Sequence, residues 1–150
     1  MSLAGASEFF LGPVCLASSV NAEPRAPKYH GRPARAIITN EFRDFRTRIS
    51  RGAKADVEFA GHYTIPRWGC GTECNRFVVV DSISGKVCDG LAIAGLSFYW
   101  IKEHGGDEVM PRIEFYPHSR LPKINGCPGE EDCGLYDYEM IDERLKTRPC

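Results

Sequence analysis

The chain has 150 residues, of which 43% are hydrophobic and 26% are charged, and its formal net charge is -1. This length predicts one globular domain, and the missing basic excess argues against a nucleic-acid partner. The chain also contains seven cysteines, more than a protein of a reducing compartment usually carries. The composition therefore favours an exported protein.

The first residues have the pattern of an export signal. An apolar to small stretch runs from Phe9 to Val20, and short residues up to Ala22 stand where a signal peptidase would cleave. No Lys or Arg precedes the stretch, so a disordered or loosely packed segment over residues 1–22 is the alternative. The stretch is too short and too interrupted to cross a membrane as a helix. We therefore predict a signal peptide over residues 1–22, periplasmic or secreted localisation after cleavage near Ala22, and no integral membrane segment.

The segment after the predicted signal lacks a periodic apolar pattern. Three prolines among charged and small residues predict an extended linker over residues 23–35. Residues 36–150 are predicted to form a single globular domain.

A short helix between Asn40 and Arg51 is the first predicted element of that domain. Its narrow apolar face consists of Phe42, Phe45 and Ile49. Its other sides carry Arg43, Arg46, Arg48 and Arg51. We interpret the arginines as a solvated face, with a partner-binding basic ridge as the alternative.

Short strands joined by turns follow from Val57 onward. The predicted strands are 59–65, 76–81, 86–88, 112–116, 120–124, 135–140 and 144–147, with Asp142-Glu143 at the last turn. Residues 91–101 fit either a strand or a buried helix. The predicted fold class is α+β and mainly β. It consists of one N-terminal helix packed on an antiparallel meander sheet, or partly closed barrel, of six or seven short strands stapled by disulfides.

Six cysteines remain after removal of the predicted signal: Cys70, Cys74, Cys88, Cys127, Cys133 and Cys150. Their even number fits a disulfide framework. The favoured pairing joins Cys70 to Cys74 across a glycine-bearing turn, Cys127 to Cys133 across a polar loop, and Cys88 to Cys150.

Two other roles for the cysteines compete with this pairing. Zinc could be bound with His62, His104 or His118, but the close C-x-x-C pairs typical of zinc sites are missing. Redox chemistry at Cys70 and Cys74 is disfavoured because thiol oxidoreductases normally use C-x-x-C at a helix start. We therefore predict no metal and no other cofactor.

Several motifs occur together in one order: Phe59-Ala-Gly-His-Tyr63, Trp68-Gly-Cys-Gly-Thr-Glu-Cys74, Asp81-Ser-Ile-Ser-Gly-Lys-Val87 and Ser119-Arg-Leu121. Over residues 45–146 the chain resembles a family of small, uncharacterised exported bacterial proteins. The resemblance implies a periplasmic or secreted protein. It implies no reaction, because no activity of that family can be carried over.

The glycine-rich turn and its surroundings hold the candidate binding residues: His62, Trp68, Gly69, Gly71 and Thr72. Trp68 would be the aromatic anchor, with a core or edge position as its alternative. His62 is the one candidate general base, and a hydrogen-bonded histidine at the sheet surface is its alternative. No catalytic constellation accompanies these residues.

The predicted function is that of an exported, non-catalytic binding or inhibitor-type module for an unknown protein or cell-envelope ligand. Two alternatives remain open. The chain could be a small hydrolase or thiol enzyme that uses His62 as its base, or a structural envelope protein without a ligand.

Overall fold

The computed structural model describes residues 25–71, 73–95, 113–129 and 133–148. The predictions for the signal peptide, for Thr72, for the larger part of residues 91–101 and for Cys150 therefore lie outside the described residues.

One helical element lies among the described residues, after the segment 25–38. A 3₁₀-helix spans Asn40–Phe45 and continues directly as α1, Arg46–Gly52. Phe42 and Ile49 are buried on its inner face, as their spacing predicts. No helix among the described residues is long and apolar enough to cross a membrane.

Among the described residues, ten short strands follow the helix. They are β1 (Tyr63–Thr64), β2 (Arg67–Gly71), β3 (Cys74–Phe77), β4 (Val79–Asp81), β5 (Val87–Cys88), β6 (Ala92–Ala94), β7 (Ile113–Glu114), β8 (Lys123–Pro128), β9 (Gly134–Ile141) and β10 (Arg144–Thr147). A three-stranded sheet has the order β1-β4-β5. A seven-stranded sheet has the order β10-β9-β8-β6-β3-β2, with β7 beside β8. The antiparallel, curled and mainly β architecture confirms the predicted fold class, although longer predicted runs are divided into shorter strands.

The run Phe59–Ile65 is one of these divided segments. Ala60 and Gly61 adopt positive φ angles of 48° and 86°, so the chain turns there and only Tyr63–Thr64 pairs as a strand. Gly61 is required at this turn because a Cβ on it would lie 2.4 Å from the carbonyl oxygen of Pro27. The predicted continuous strand is therefore corrected to a turn followed by two paired residues.

The first described segment, residues 25–38, packs on the domain, whereas an extended linker is predicted over residues 23–35. We call it the N-terminal arm. Backbone N–H groups of Ala26, Tyr29, Ala34 and Ile37 donate to the carbonyls of His118, Gly61, Ser82 and Gly85 over 2.7 to 3.0 Å. These hydrogen bonds make the arm an integral part of the folded body.

Buried apolar side chains form two clusters on opposite faces of the small sheet. Successive side chains of β4 point to opposite faces, so Val79 belongs to one cluster and Val80 to the other. The first cluster includes Phe59, Phe77, Ile93, Ile124 and Met140. The second includes Phe42, Ile49 and Trp68 and is covered by the helix and the N-terminal arm. Because Trp68 belongs to β2, the helix packs on the end strand of the large sheet as well as on the small sheet.

Two of the three favoured disulfides are formed. Cys70 is bonded to Cys74, and Cys127 to Cys133. The third is corrected, because Cys88 is a free, buried thiol. Its side chain lies in the first core cluster, where neighbouring apolar groups surround it. Its predicted partner Cys150 lies outside the described residues.

Candidate functional site

The predicted aromatic anchor, Trp68, is a core residue. Alternation along β2 directs its ring towards the helix, where it stacks on Phe45 with centroids 4.7 Å apart. The side chain is only 7% exposed. The guanidinium carbon of Arg76 lies 5.0 Å from the ring centre of Phe45 and 5.9 Å from that of Trp68. The structure therefore supports the core alternative and corrects the assignment of Trp68 to a binding surface.

The glycines beside Trp68 are exposed at the end of β2. A side chain at Gly71 would meet no atom within 4 Å. The Cys70–Cys74 disulfide crosses this hairpin end with its Cα atoms 5.1 Å apart, and the strand register shifts between Gly69 and Gly71. The predicted site at the turn is therefore an open, stapled hairpin end, and Thr72 lies outside the described residues.

His62 lies away from that hairpin end, in the turn before β1. Its ring is 4.1 Å from the ring of Tyr63, and it borders a depression of about 240 Å³ together with Arg120 and Met140. No serine, threonine or cysteine lies among the described residues that border this depression. The structure thus gives His62 a concave setting without a nucleophile beside it.

A larger cleft of about 630 Å³ adjoins this depression. Its charged lining consists of Glu41, Lys86, Asp89, Asp142, Glu143 and Arg144. These side chains come from three places in the chain: the start of the 3₁₀-helix, the segment around β5, and the turn between β9 and β10. We call this hollow the turn cleft, after the β9–β10 turn. Asp142 and Glu143 of that turn border both the turn cleft and the His62 depression, so they separate the two hollows.

The β9–β10 turn, which separates the two hollows, has an unusual backbone. Asp142 and Glu143 have φ angles of 49° and 61°, the left-handed conformation that two-residue hairpin turns need and that Asn-Gly, Asp-Gly or Gly-Gly normally supplies. Asp142 therefore suits its position, whereas Glu143 stands where glycine is preferred and costs roughly 1 to 2 kcal/mol. Lys86 on the neighbouring sheet forms an ion pair with Glu143, which ties the turn to the edge of β5. Because both side chains are well exposed, that pair orients the turn more than it stabilises the fold.

Strand pairing places polar side chains of the small sheet near the β9–β10 turn. Tyr63 lies opposite Asp81, and Cys88 lies opposite Val79 on the same face. Burial, reinforced by the charge of Asp81, raises the pKa of Tyr63 to about 12. Burial, reinforced by the charge of Glu143, also raises the pKa of the Cys88 thiol. Both groups therefore keep their protons at neutral pH.

The raised pKa of the Cys88 thiol bears on whether this residue can act as a nucleophile. The thiolate is the nucleophilic form of cysteine, and reactive cysteines have a lowered pKa, whereas that of Cys88 is raised by burial. The pKa of Lys86 is raised by its hydrogen bond to Glu143, so Lys86 remains a cation. Within the described residues, no group of three or more His, Cys, Asp or Glu side chains is placed to hold a metal ion. The turn cleft is thus a polar cavity lined by charged side chains.

The Asp142-Glu143 turn was predicted from the sequence, but no function was assigned to it. One local signal was present: the turn has glutamate where a two-residue hairpin prefers glycine. The other walls of the cleft could be found only from the fold, because Glu41 and Asp89 reach it through long-range packing.

Comparison of the chain with family models, with curated proteins and with solved structures finds no match. The function is therefore inferred from the geometry of the chain itself.

Proposed function

We propose that the chain is an exported, periplasmic or secreted, disulfide-stabilised β domain that binds a polar ligand of the cell envelope in the turn cleft. Two disulfides, Cys70–Cys74 and Cys127–Cys133, support export because such bonds persist in oxidising compartments. The resemblance over residues 45–146 points to the same location.

The observation that carries the binding proposal is the cleft itself. Its volume of about 630 Å³ lies within the range of small-molecule sites. Four acidic side chains and two basic ones line it, which leaves an excess of two negative charges. Such a lining favours a hydrogen-bonding ligand that carries amino groups, such as an amino sugar or the basic end of a peptide.

Binding without catalysis is the function that these groups support best. The Cys88 thiol keeps its proton because burial raises its pKa. His62 borders a depression whose described lining offers Tyr63 and carboxylates but no aliphatic hydroxyl or thiol. A nucleophile and a base placed together, as hydrolysis by covalent catalysis requires, are thus not assembled among the described residues of the two hollows.

The binding site can be located by NMR titration of the ¹⁵N-labelled protein with soluble cell-wall glycan fragments that carry free amino groups. We expect the largest amide shifts in residues 86–91 and 142–145. Shifts concentrated at Gly69–Gly71 would move the site to the stapled hairpin end. An absence of shifts with glycan fragments and with basic envelope peptides would contradict the proposal.

A matched pair of variants tests the role of cleft charge. Asp89→Asn removes one carboxylate from the cleft, and we expect it to weaken binding of an amino-bearing fragment several-fold. Asp137→Asn makes the same chemical change at an exposed position of β9 outside the cleft and should leave the affinity unchanged. Equal affinities for the two variants would mean that the cleft does not contact the ligand.

Export is tested separately by the intact mass of protein recovered from secreting cells, measured before and after reduction. The expected mature mass lacks residues 1–22, and reduction should add the hydrogens of at least two disulfides. An uncleaved chain with free thiols at Cys70 and Cys74 would contradict export.

A further inference from the structure

The outermost layer of the fold is strongly basic although the chain as a whole is nearly neutral. Residues 25–54, the N-terminal arm and the helix with the turn that follows it, contain nine basic and two acidic residues, a formal charge of +7. The other 120 residues therefore carry -8, since the whole chain carries -1. We call residues 25–54 the basic layer.

The cations of the basic layer are not neutralised by the rest of the fold. The exposed ones are Arg25, Arg32, Arg35, Arg43, Arg46, Arg48, Arg51 and Lys54, and Lys28 is half-buried. The ion pairs of the described residues join Arg67 to Glu58, Lys86 to Glu143 and Arg148 to Glu139, none of which involves the layer. Exposed charge of one sign without internal partners attracts an oppositely charged surface.

Packing brings the end of the arm and the helix together. Ala36 of the arm and Phe42 and Ile49 of the helix all bury their side chains in the second core cluster. The end of the arm and the helix therefore cover the same face of the small sheet, and the arginines of this part, from Arg35 to Arg51, are exposed.

Two large apolar side chains lie exposed at the edge of this surface. Ile37 is 58% exposed and Ile83 is 56% exposed. The Ile37 amide donates to the carbonyl of Gly85 over 2.8 Å, which brings the arm beside the β4–β5 turn that carries Ile83. In the extended arm, Arg35 lies on the same side as Ile37, since Ala36 between them is buried.

We propose that the basic layer is a docking surface for an anionic membrane, with the arginines on lipid phosphates and Ile37 and Ile83 inserted between the headgroups. A polyanionic polymer would complement the charge but would leave both isoleucines in water. A membrane surface accommodates both features, since peripheral binding combines electrostatic attraction with burial of apolar side chains. The net negative remainder of the chain is repelled by the same surface, which orients the domain. This inference does not depend on the proposed ligand of the turn cleft.

The direct test is co-sedimentation of the protein, in the form isolated from secreting cells, with two kinds of vesicle. One kind contains phosphatidylcholine alone and the other also contains phosphatidylglycerol. We expect binding to the anionic vesicles only, and release at high salt as the screening length falls from about 10 Å at 0.1 M to about 3 Å at 1 M.

A charge variant and a matched control locate the contact. Arg48→Gln with Arg51→Gln removes two exposed cations of α1, and we expect the vesicle affinity to fall about thirtyfold, or about fivefold per basic residue. Lys123→Gln with Lys146→Gln removes two exposed cations from β8 and β10 and should change the affinity less than about twofold.

The apolar contribution has its own matched pair. Ile37→Ser with Ile83→Ser should weaken vesicle binding at least about tenfold, because buried apolar area is lost, while the salt dependence is kept. Leu135→Ser, at an exposed position of β9, should have no effect.

Three results would overturn the proposal: equal binding to both vesicle types, equal losses in the charge variant and its control, or retention on heparin without vesicle binding. The last result would assign the basic layer to a soluble polyanion.

Discussion

At the scale of single residues, Glu143 shows most clearly a local rule that the chain breaks. Asp142 and Glu143 both hold left-handed backbone angles, and the second position is one that glycine would adopt with less strain. Both residues also border the turn cleft and the His62 depression. A strained backbone persists where the surrounding structure determines it, and such residues are concentrated at functional sites. Glu143 thus stands at a position where stability alone would favour glycine.

Replacement of this turn should therefore stabilise the fold. Asp142→Asn combined with Glu143→Gly introduces the preferred residues of a two-residue hairpin, and we expect the free energy of unfolding to rise by about 1 kcal/mol. Urea denaturation followed by circular dichroism measures the change.

Glu143→Gln is the control for this double variant. It removes the ion pair with Lys86 but keeps the backbone strain, so it should lower the free energy of unfolding by less than about 1 kcal/mol. If the double variant is the less stable of the two, the turn is not strained.

At the scale of elements, the N-terminal arm depends on glycines that allow it to approach the small sheet. A Cβ on Gly85 would lie 2.1 Å from the carbonyl oxygen of Arg35, and the φ angle of Gly85 is 81°. Backbone cannot move away as a flexible side chain can. The β4–β5 turn therefore accepts the arm only with glycine at this position.

Gly85→Ala should consequently cost more than backbone strain alone. We expect a loss of at least about 3 kcal/mol in the free energy of unfolding, from strain together with displacement of the arm. Gly129→Ala is the matched control, since its φ is 66° but its Cβ would meet no atom within 4 Å. That variant should lose only about 1 to 2 kcal/mol. Equal losses would show that the arm contact adds nothing.

Elements formed by local interactions were predictable from the sequence. The apolar spacing of the helix and the β9–β10 hairpin are both present in the structure. Elements that depend on distant partners were less so. Asn125-Gly126, a turn signal by composition, lies inside β8, whose next residues Cys127 and Pro128 pair with Ala94 and Ile93 of β6. Long-range pairing overrides the local preference there.

The same reason explains how far the site was predictable. The direction of Trp68 depends on Phe45, which lies on another element, so alternation along one strand could not assign it. The turn cleft joins Glu41, the β5 segment and the β9–β10 turn, which are far apart in sequence. Of the candidate binding residues that the sequence predicted and the structure describes, His62 is the one that borders either of the two hollows.

At the scale of the whole molecule, the disulfides reinforce the fold without creating it. They close short loops, with sequence separations of 4 and 6 residues. The chain-entropy relation gives about 2 kcal/mol for each of them. Two buried clusters supply a core that a chain of this length can maintain without cross-links.

Reduction should therefore weaken the domain but leave it folded. We expect the free energy of unfolding to fall by about 4 kcal/mol when both described disulfides are reduced, as measured by urea denaturation with and without reductant. Cys70→Ser with Cys74→Ser should account for about half of that loss. A reduced chain without a cooperative unfolding transition would show that the cores are insufficient.

The strand order has a further consequence for self-association. The outer edge of β5 is covered in part by the arm, through the bridge between Ile37 and Lys86, and the large sheet ends at β2 and β10. Arg144 and Lys146 project from β10 as exposed cations. If two copies aligned along β10, like charges would approach each other, which disfavours edge-to-edge aggregation. The positive charge on β10 thus opposes the growth of fibre-like assemblies through this sheet edge.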